Sequence, residues 1–274
     1  MNTFKKMFSN TADKVLLGIF LSMSMWILII NILGIKYTLF NYLYAFVLAV
    51  LPTVGAVIGF IRTKQWGGIY SKVGRATFLV SFGLAFWALG SYIWSYYNYF
   101  LNVELPYPSW ADVGYAPAYL WWGIGIIALT TLTSVKDSDR PLNRILFFCI
   151  PLMMAIVTYY IVHIELHSGE SFFNTINPGK LLVDTYYPLA DVCILATLAV
   201  CSSLELNFLG RRLRLPLMII VIGFVLNYIA DFYFAYTTIV GTYYVGEIAD
   251  WLFTVSMFIL SLGVSNLHPK LLKD

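Results

Sequence analysis

Acidic residues stand at or inside strongly apolar stretches of this sequence, where a carboxylate is chemically conspicuous. Four of them follow an alanine, in pairs that end at Asp112, Asp191, Asp231 and Asp250. A charged side chain in an apolar environment is costly, so such groups usually face a protein interior or a water-filled cavity and mark functional sites. These acids are therefore candidates for binding a small ligand or a proton.

Helical spacing groups the acids further, because residues three, four or seven positions apart lie on one face of a helix. The pairs with such spacing are Asp184 with Asp191, Asn227 with Asp231, and Glu247 with Asp250. Tyrosine and tryptophan crowd the same stretches. A carboxylate beside such rings suits a cationic or amphipathic small ligand, through cation–π contacts and hydrogen bonds. The candidate ligand-binding set therefore also includes three aromatic residues, Tyr115, Tyr187 and Trp251.

A purely structural role is the alternative for each acid. A carboxylate in the first turn of a helix is favoured by the helix dipole and by free backbone N–H groups. This capping role stays open for Asp112, Glu247 and Asp184. Asp191 and Asp231 lie too far inside their segments to cap a helix. For these two, the structural alternative is a buried hydrogen bond to a tyrosine or tryptophan.

Metal and cofactor chemistry finds little support in the sequence. His163 and His167 are four residues apart, a spacing that could ligate a metal, but no third ligand accompanies them. The three cysteines lack metal-ligand spacing and fit as small packing residues. Facing histidines for haem and a deep lysine for retinal are both absent from the sequence. We therefore predict no metal site and name no cofactor.

The elements that must position these acids are membrane-spanning helices. The chain has 274 residues, 60% of them hydrophobic and 11% charged, and its mean hydropathy is +0.77. Soluble domains carry roughly 25% charged residues, and about 20 apolar residues are enough to cross a bilayer. Eight such segments are predicted: 15–34, 41–61, 77–99, 111–133, 143–164, 182–203, 215–238 and 244–266. The prediction is an all-α polytopic membrane protein in which residues 1–274 form a single integral membrane domain.

The basic residues predict the orientation of these segments. All 17 lysines and arginines except Lys36 and Lys180 lie before the first segment, in even-numbered loops or after the last segment. Because positively charged loops stay on the cytoplasmic side, both termini are expected to be cytoplasmic. The net charge of +3 then reflects contact with lipid headgroups and does not indicate nucleic-acid binding. The expected location is the cell inner, or cytoplasmic, membrane.

With this orientation, the six acids in apolar stretches all fall in the outer half of the bilayer. The predicted acidic and aromatic pocket therefore opens to the extracytoplasmic side.

An internal repeat relates the two halves of the chain. Gly83, Tyr96 and the pair ending at Asp112 match Gly223, Tyr236 and the pair ending at Asp250, at an offset of 138–140 residues. The predicted repeats are residues 15–133 and 143–266. Four helices per repeat give both halves the same topology, so an axis along the membrane normal would relate them.

Three stretches together carry a family resemblance: "PYPSWADVGYAPAYLWWGIGI", "YYPLADVCIL" and "GFVLNYIADFYFAYTTIVGTYYVGEIADWLFT". Their order resembles the multi-helix N-terminal membrane sensor region of bacterial signalling proteins. The residues that match its motifs are Pro106, Pro108, Ser109, Asp112, Tyr115, Tyr187, Pro188, Asp191, Gly223, Asp231, Tyr244, Gly246, Asp250 and Trp251.

The resemblance implies a sensor placed before a cytoplasmic output module, such as a GGDEF-type diguanylate cyclase, a phosphodiesterase or a kinase. This chain ends eight residues after its last predicted segment. It is therefore expected either to be part of a longer protein or to signal through a separate partner.

Three functions are compatible with these patterns. The leading hypothesis is a non-enzymatic membrane sensor or receptor domain that binds a small ligand, or senses protons, in the acidic and aromatic pocket. A membrane hydrolase of the lysoplasmalogenase type is the second, because "PLADVCIL" is similar to the aspartate motif of those enzymes and paired carboxylates could activate water. A cation- or proton-coupled transporter is the third, since intramembrane acids suit it.

Overall fold

The computed structural model describes residues 10–101, 109–130, 133–134, 152, 156, 159, 178–203, 205–206 and 213–272. The fifth predicted segment, 143–164, lies almost entirely outside the described residues. The side chain of Asp184 also lies outside them. Seven long helices make up most of the described part: α1 (Thr11–Ile32), α2 (Leu39–Gln65), α3 (Lys72–Tyr96), α4 (Asp112–Thr130), α5 (Pro178–Ser203), α6 (Arg214–Ile239) and α7 (Ile248–Asn266).

Short elements connect these helices. A single π-helical stretch, Tyr97–Leu101, continues α3, and 3-10 turns occupy Gly68–Tyr70 and Pro269–Leu272. Two residues, β1 (Thr133–Ser134), pair antiparallel with β2 (Glu205–Leu206). The described architecture is otherwise helical.

Five of the helices are long and apolar enough to cross a membrane, as expected of a multi-pass membrane protein. They are α1, α2, α3 with its π-helical continuation, α6 and α7. Helices α4 and α5 coincide with the predicted segments 111–133 and 182–203.

The start of α7 differs from its prediction. The apolar stretch begins at residue 244, but the helix begins at Ile248. Gly246 has a φ of +90°, a left-handed conformation that glycine adopts at little cost and that a continuous helix does not allow. Four residues of the predicted segment therefore form a turn before the helix.

Local sequence explains where several helices begin. Asn10 precedes α1, and its side chain accepts a hydrogen bond from the backbone N–H of Ala12. Ser71 does the same for the N–H of Gly74 at the start of α3. A side-chain oxygen at this position satisfies an N–H that has no partner within the helix.

Helix packing links the two halves of the chain in a reciprocal way. Within each half, consecutive helices pack together: α2 with α3, α3 with α4, α5 with α6, and α6 with α7. Between the halves, α7 packs on α2 and α4 packs on α5. In the predicted repeat, these two contacts each join the fourth helix of one half to the second helix of the other.

Glycines allow close approach at matching points of the α3–α4 and α6–α7 pairs. A Cβ atom added to Gly83 on α3 would overlap Trp122 on α4, and one added to Gly223 on α6 would overlap Leu260 on α7. About one turn away in each pair, Gly125 lies against Val80 and Gly263 lies against Ile220. The offset between corresponding residues is 138 or 140 in each case.

A cluster of hydrogen bonds connects the C-terminal end of α7 to α1 and α2. Ser265 Oγ donates a hydrogen bond to Asp13 Oδ1 (2.5 Å), and Arg62 Nε donates to the Ser265 carbonyl oxygen (2.8 Å). Trp66 Nε1 donates to the carbonyl oxygen of Leu267 (3.0 Å). Asp13 is only 2% exposed, so the chain buries an acid at this end of the bundle as well, which the sequence did not indicate.

Candidate functional site

The central feature of the site is a hydrogen-bonded group formed by α4 and α6. Tyr119 Oη donates to Oδ2 of Asp231, and Asn227 Nδ2 donates to the same oxygen at 2.6 Å. Asn227 Nδ2 also lies 3.0 Å from Tyr119 Oη, which accepts its second N–H. Residues 227 and 231 are one helical turn apart, so both side chains leave α6 on the face that meets α4.

Helix α7 contacts this group through Ser256. Asn227 is 1% exposed, and its Oδ1 accepts a hydrogen bond of 3.4 Å from Ser256 Oγ. Ser256 Oγ also lies 3.2 Å from the carbonyl oxygen of Gly223. Because buried polar groups are held in place by such partners, the orientation of the Asn227 amide toward Asp231 is fixed by α7.

Asp191 on α5 completes the group with a second carboxylate. It is 3% exposed and interacts electrostatically with Asp231 and with Tyr119. Its depth within α5, thirteen residues after Pro178, excludes a role in capping that helix. The sequence therefore correctly separated Asp191 and Asp231 from the acids at helix ends, and the structure brings the two together.

Tyr228 lies beside this pair. Its charge interaction with Asp191 places the phenol near that carboxylate. The Tyr228 hydroxyl oxygen is buried and has no hydrogen-bond partner in the described part of the chain. A buried hydroxyl of this kind is costly unless water or a ligand serves it.

Asp112 lies at the start of α4 and has two partners. Its Oδ2 accepts from the backbone N–H of Ser109 at 2.8 Å, and its Oδ1 accepts from Tyr187 Oη at 2.6 Å. The first contact closes the turn that begins the helix. The second joins α4 to α5, and the Tyr187 ring lies 5.4 Å from that of Tyr119. Asp112 therefore both closes a turn and connects to the central group through aromatic contacts.

Asp250 has a closely similar environment at the start of α7. Its Oδ2 accepts from the backbone N–H of Gly246 (2.6 Å), and its Oδ1 accepts from Tyr243 Oη (3.3 Å). Burial raises the pKa of Tyr243 well above its usual value, and the nearby Asp250 raises it further. Tyr243 therefore stays protonated and acts as a hydrogen-bond donor to Asp250.

Tyr115 lies between the acids. Its ring packs against Trp87, with centroids 5.6 Å apart, and its hydroxyl donates to Ser91 Oγ at 3.1 Å. The phenol interacts electrostatically with Asp112, Asp231 and Asp250. These three acids therefore all lie near Tyr115.

Glu247 and Trp251 lie apart from the central group. Glu247 is buried, and its Oε1 accepts from Thr237 Oγ1 at 2.8 Å. Trp251 is 38% exposed, and its indole N–H donates to Ser24 Oγ on α1 at 3.3 Å. The Trp251 side chain thus contacts α1. Of the predicted set, Asp231, Asn227 and Asp191 form the centre, Asp112, Tyr187, Tyr115 and Asp250 surround it, and Glu247 and Trp251 are peripheral.

Three residues of the site were not among the predicted ligand-binding residues: Tyr119, Tyr228 and Ser256. Tyr119 was one aromatic residue among many. Its spacing of seven residues from Asp112 and four from Tyr115 placed it on their face of the helix and could have identified it.

The donor atoms of the site are oxygens and one amide group. Among the described residues, no cluster of three or more histidine, cysteine, aspartate or glutamate side chains could hold a metal ion. The site offers paired carboxylates, phenol hydroxyls and a carboxamide, a combination suited to protons and to hard or organic cations. No protein-family model, curated protein or solved structure matches this chain.

Proposed function

We propose that this chain is an integral membrane sensor or receptor-type domain in which Asp191 and Asp231 bind a small ligand or a proton. The observation that carries the proposal is the group formed by these two carboxylates with Tyr119 and Asn227. Asn227 and Asp231 lie on α6, one of the five helices long and apolar enough to cross a membrane. Paired acids in such a place are retained at a cost, and function is the usual reason.

The chemistry of the pair supports binding over a purely structural role. Among the described residues, Oδ2 of Asp231 accepts all the side-chain hydrogen bonds that these two carboxylates receive. The two acids interact with each other and with Tyr119 and Tyr228, whose hydroxyls are neutral when protonated. Two neighbouring carboxylates, one buried and one partly buried, repel each other unless a proton or a cation lies between them. Binding of a proton or a cation would therefore change the interaction between the two carboxylates.

The proposal includes a definite topology. Eight transmembrane helices run with both termini in the cytoplasm, in the cell inner membrane, and the site opens to the extracytoplasmic side. The distribution of lysine and arginine supports this orientation. The interaction of Asp112, Asp231 and Asp250 with Tyr115 supports the placement of these three acids at one end of the bundle.

Two parallel four-helix repeats form the bundle in this proposal. The matched glycine contacts, Gly83 with Trp122 and Gly223 with Leu260, support it. So does the reciprocal packing of α7 on α2 and of α4 on α5. The similar partners of Asp112 and Asp250, a backbone N–H and a tyrosine hydroxyl each, give a third line of support.

Signal transfer follows from the position of the pair. Asp191 and Asp231 belong to the second repeat, and Tyr119 belongs to the first. Ligand or proton binding at the pair therefore changes a contact between repeats and shifts their packing. The cytoplasmic helix ends carry that shift to an attached signalling module or a partner protein.

Thermal stability of the purified protein tests this function. The melting temperature (Tm) of the full chain in detergent micelles is followed by tryptophan fluorescence, across pH 5–9 and against a panel of small amines. Asp191→Asn and Asp231→Asn keep the size of each side chain and remove its charge. Tyr96→Phe is the matched control, because the Tyr96 side chain is 52% exposed.

The expected result is a rise in Tm with protons or with an amine in the wild type and in Tyr96→Phe, and its loss in both asparagine variants. Stabilisation that survives both substitutions would show that the acidic pair is not the site.

A further inference from the structure

We propose that the acidic pair binds a small monovalent inorganic cation, for which Na⁺ is the probe, with the Tyr228 hydroxyl as a neutral oxygen ligand. This inference rests on the proposed function, because it names the ligand class of the same site. Its basis is the buried Tyr228 hydroxyl, which has no partner among the described residues, and the two interacting acids beside it.

Three residues contribute oxygen atoms that accept no hydrogen bond from the described residues. Tyr119 and Asn227 both donate to Oδ2 of Asp231, and no hydrogen bond to its Oδ1 is recorded among the described residues. None is recorded there for the carboxylate of Asp191, which is 3% exposed. The buried hydroxyl of Tyr228 likewise has no partner in that part of the chain. A buried hydroxyl without a partner is costly, and a cation held by the two carboxylates would serve the Tyr228 oxygen and reduce the repulsion between the acids.

Charge favours a cation at this place. Asp191 interacts with Asp231, and Tyr228 interacts with Asp191. The titratable groups that face the pair are Tyr119 and Tyr115 from α4 and Tyr228 from α6, all of them neutral hydroxyls when protonated. The described surroundings therefore supply oxygen ligands and negative charge.

The chemistry and crowding of the site decide the kind of cation. Asn227 is 1% exposed and Tyr119 packs against Trp122 and Tyr187 at ring distances of 5.4 Å. An organic ammonium ion would have to displace these rings. Thiolate and imidazole, which transition metals prefer, are not among the oxygen and amide donors that define the site. Calcium takes six to eight oxygen ligands, more than these side chains present.

The experiment measures Tm of the full chain against Na⁺ from 0 to roughly 300 mM, with choline chloride holding ionic strength constant. Binding to the folded state should raise Tm progressively with Na⁺ concentration. Lowering the pH should raise the Na⁺ concentration at half-effect, by up to about tenfold per pH unit, because a proton competes for the carboxylates.

Three substitutions locate the site. Asp191→Asn and Asp231→Asn should abolish the Na⁺ response. Tyr228→Phe removes one hydroxyl that has no partner among the described residues, so the variant should fold, and it should raise the half-effect concentration by about tenfold. Tyr96→Phe should respond like the wild type.

Two results overturn the inference. One is a Na⁺ response that is unchanged in Tyr228→Phe and in both asparagine variants. The other is a wild type indifferent to Na⁺ whose Tm still changes with pH or an amine through Asp191 and Asp231. The second leaves the proposed function standing, whereas a loss of every dependence on these two acids removes both.

Discussion

Tyr119 on α4 donates its hydroxyl to the carboxylate of Asp231 on α6, and the same carboxylate oxygen accepts the amide of Asn227. This contact joins a helix of the first half of the chain to one of the second half. Because all three side chains are polar and lie inside the bundle, their loss has consequences that can be measured without any ligand.

Substitution of Tyr119 by phenylalanine should destabilise the protein by about 1–3 kcal/mol, because buried Asn227 and partly buried Asp231 each lose a hydrogen-bond partner. Unfolding in a denaturing detergent, followed by circular dichroism, gives the free energy. Tyr96→Phe, at an exposed position, should change it by less than about 0.5 kcal/mol. Equal effects of the two substitutions would contradict the importance of the buried contact.

Asp250 should prove to be structural. Asp250→Ala removes the acceptor for the N–H of Gly246 and for the hydroxyl of Tyr243, which should cost about 1–2 kcal/mol, the usual cost of a lost helix cap. Asp250→Asn keeps one side-chain oxygen and should cost less. Both variants should keep the ligand or proton response of the wild type when Tm is measured as above. A lost response in a folded Asp250→Asn variant would instead make Asp250 part of the binding site.

The glycine contacts between helices predict that two corresponding glycine substitutions each destabilise the protein. Gly83→Ala and Gly223→Ala place a methyl group against Trp122 and Leu260 respectively, and overpacking of this kind costs about 1–3 kcal/mol. Gly123→Ala, on α4, meets nothing within 4 Å. It should be neutral or stabilising by up to about 1 kcal/mol, because alanine is the better helix former. Detergent unfolding of the three variants measures this, and a destabilised Gly123→Ala would contradict the packing explanation.

Arg62 should stabilise the folded protein at the end of the bundle where α7 ends. Arg62→Gln removes the hydrogen bond to the Ser265 carbonyl oxygen and the positive charge near buried Asp13, a loss that costs about 3 kcal/mol when a buried charge is left alone. Arg75→Gln, at an exposed position on α3, is the control. The double variant Arg62→Gln/Asp13→Asn should recover part of the loss. No recovery would show that the two charges are not coupled.

His268 should make stability depend on pH near neutrality. Burial lowers the pKa of His268 below its ordinary value of 6.5, and the charges of Arg62 and Lys270 lower it further. A lowered pKa in the folded state contributes stability that is present above pH 6.5 and is lost as the pH falls through the folded value. His268→Asn keeps an acceptor for the N–H of Lys270, which bonds to Nδ1 of His268 at 3.0 Å. Tm measured from pH 8 to 5 should fall more in the wild type than in the variant, and coincident profiles would refute this assignment.

Composition and charge were enough to predict helices and their approximate positions, because long apolar segments have few other structures available to them. The separation of Asp191 and Asp231 from the capping acids also followed from their depth in each segment. The start of α7 did not follow, because the left-handed conformation of Gly246 is decided by the turn before the helix and not by hydropathy.

The partners of each side chain were harder to predict than the helices. Trp251 follows Asp250 directly, yet it faces α1, because the rotation of α7 depends on which neighbours it packs against. Asp13 also follows an alanine but was not among the candidate acids, since only the fold brings Ser265 and Arg62 to it. Tyr119 could not be ranked above other tyrosines until α4 and α6 were seen to meet.

Helix α7 is held at both ends, by Asp250 and Gly246 at its start and by Ser265 and Leu267 at its finish. With 19 residues it is about 28 Å long, close to the hydrocarbon thickness of a bilayer. An α-helix resists changes in length, because each turn is bonded to the next. A sliding movement at the Asp250 end must therefore stretch or break the bonds around Ser265, so α7 converts a local displacement at one end of the helix into a mechanical load at the other.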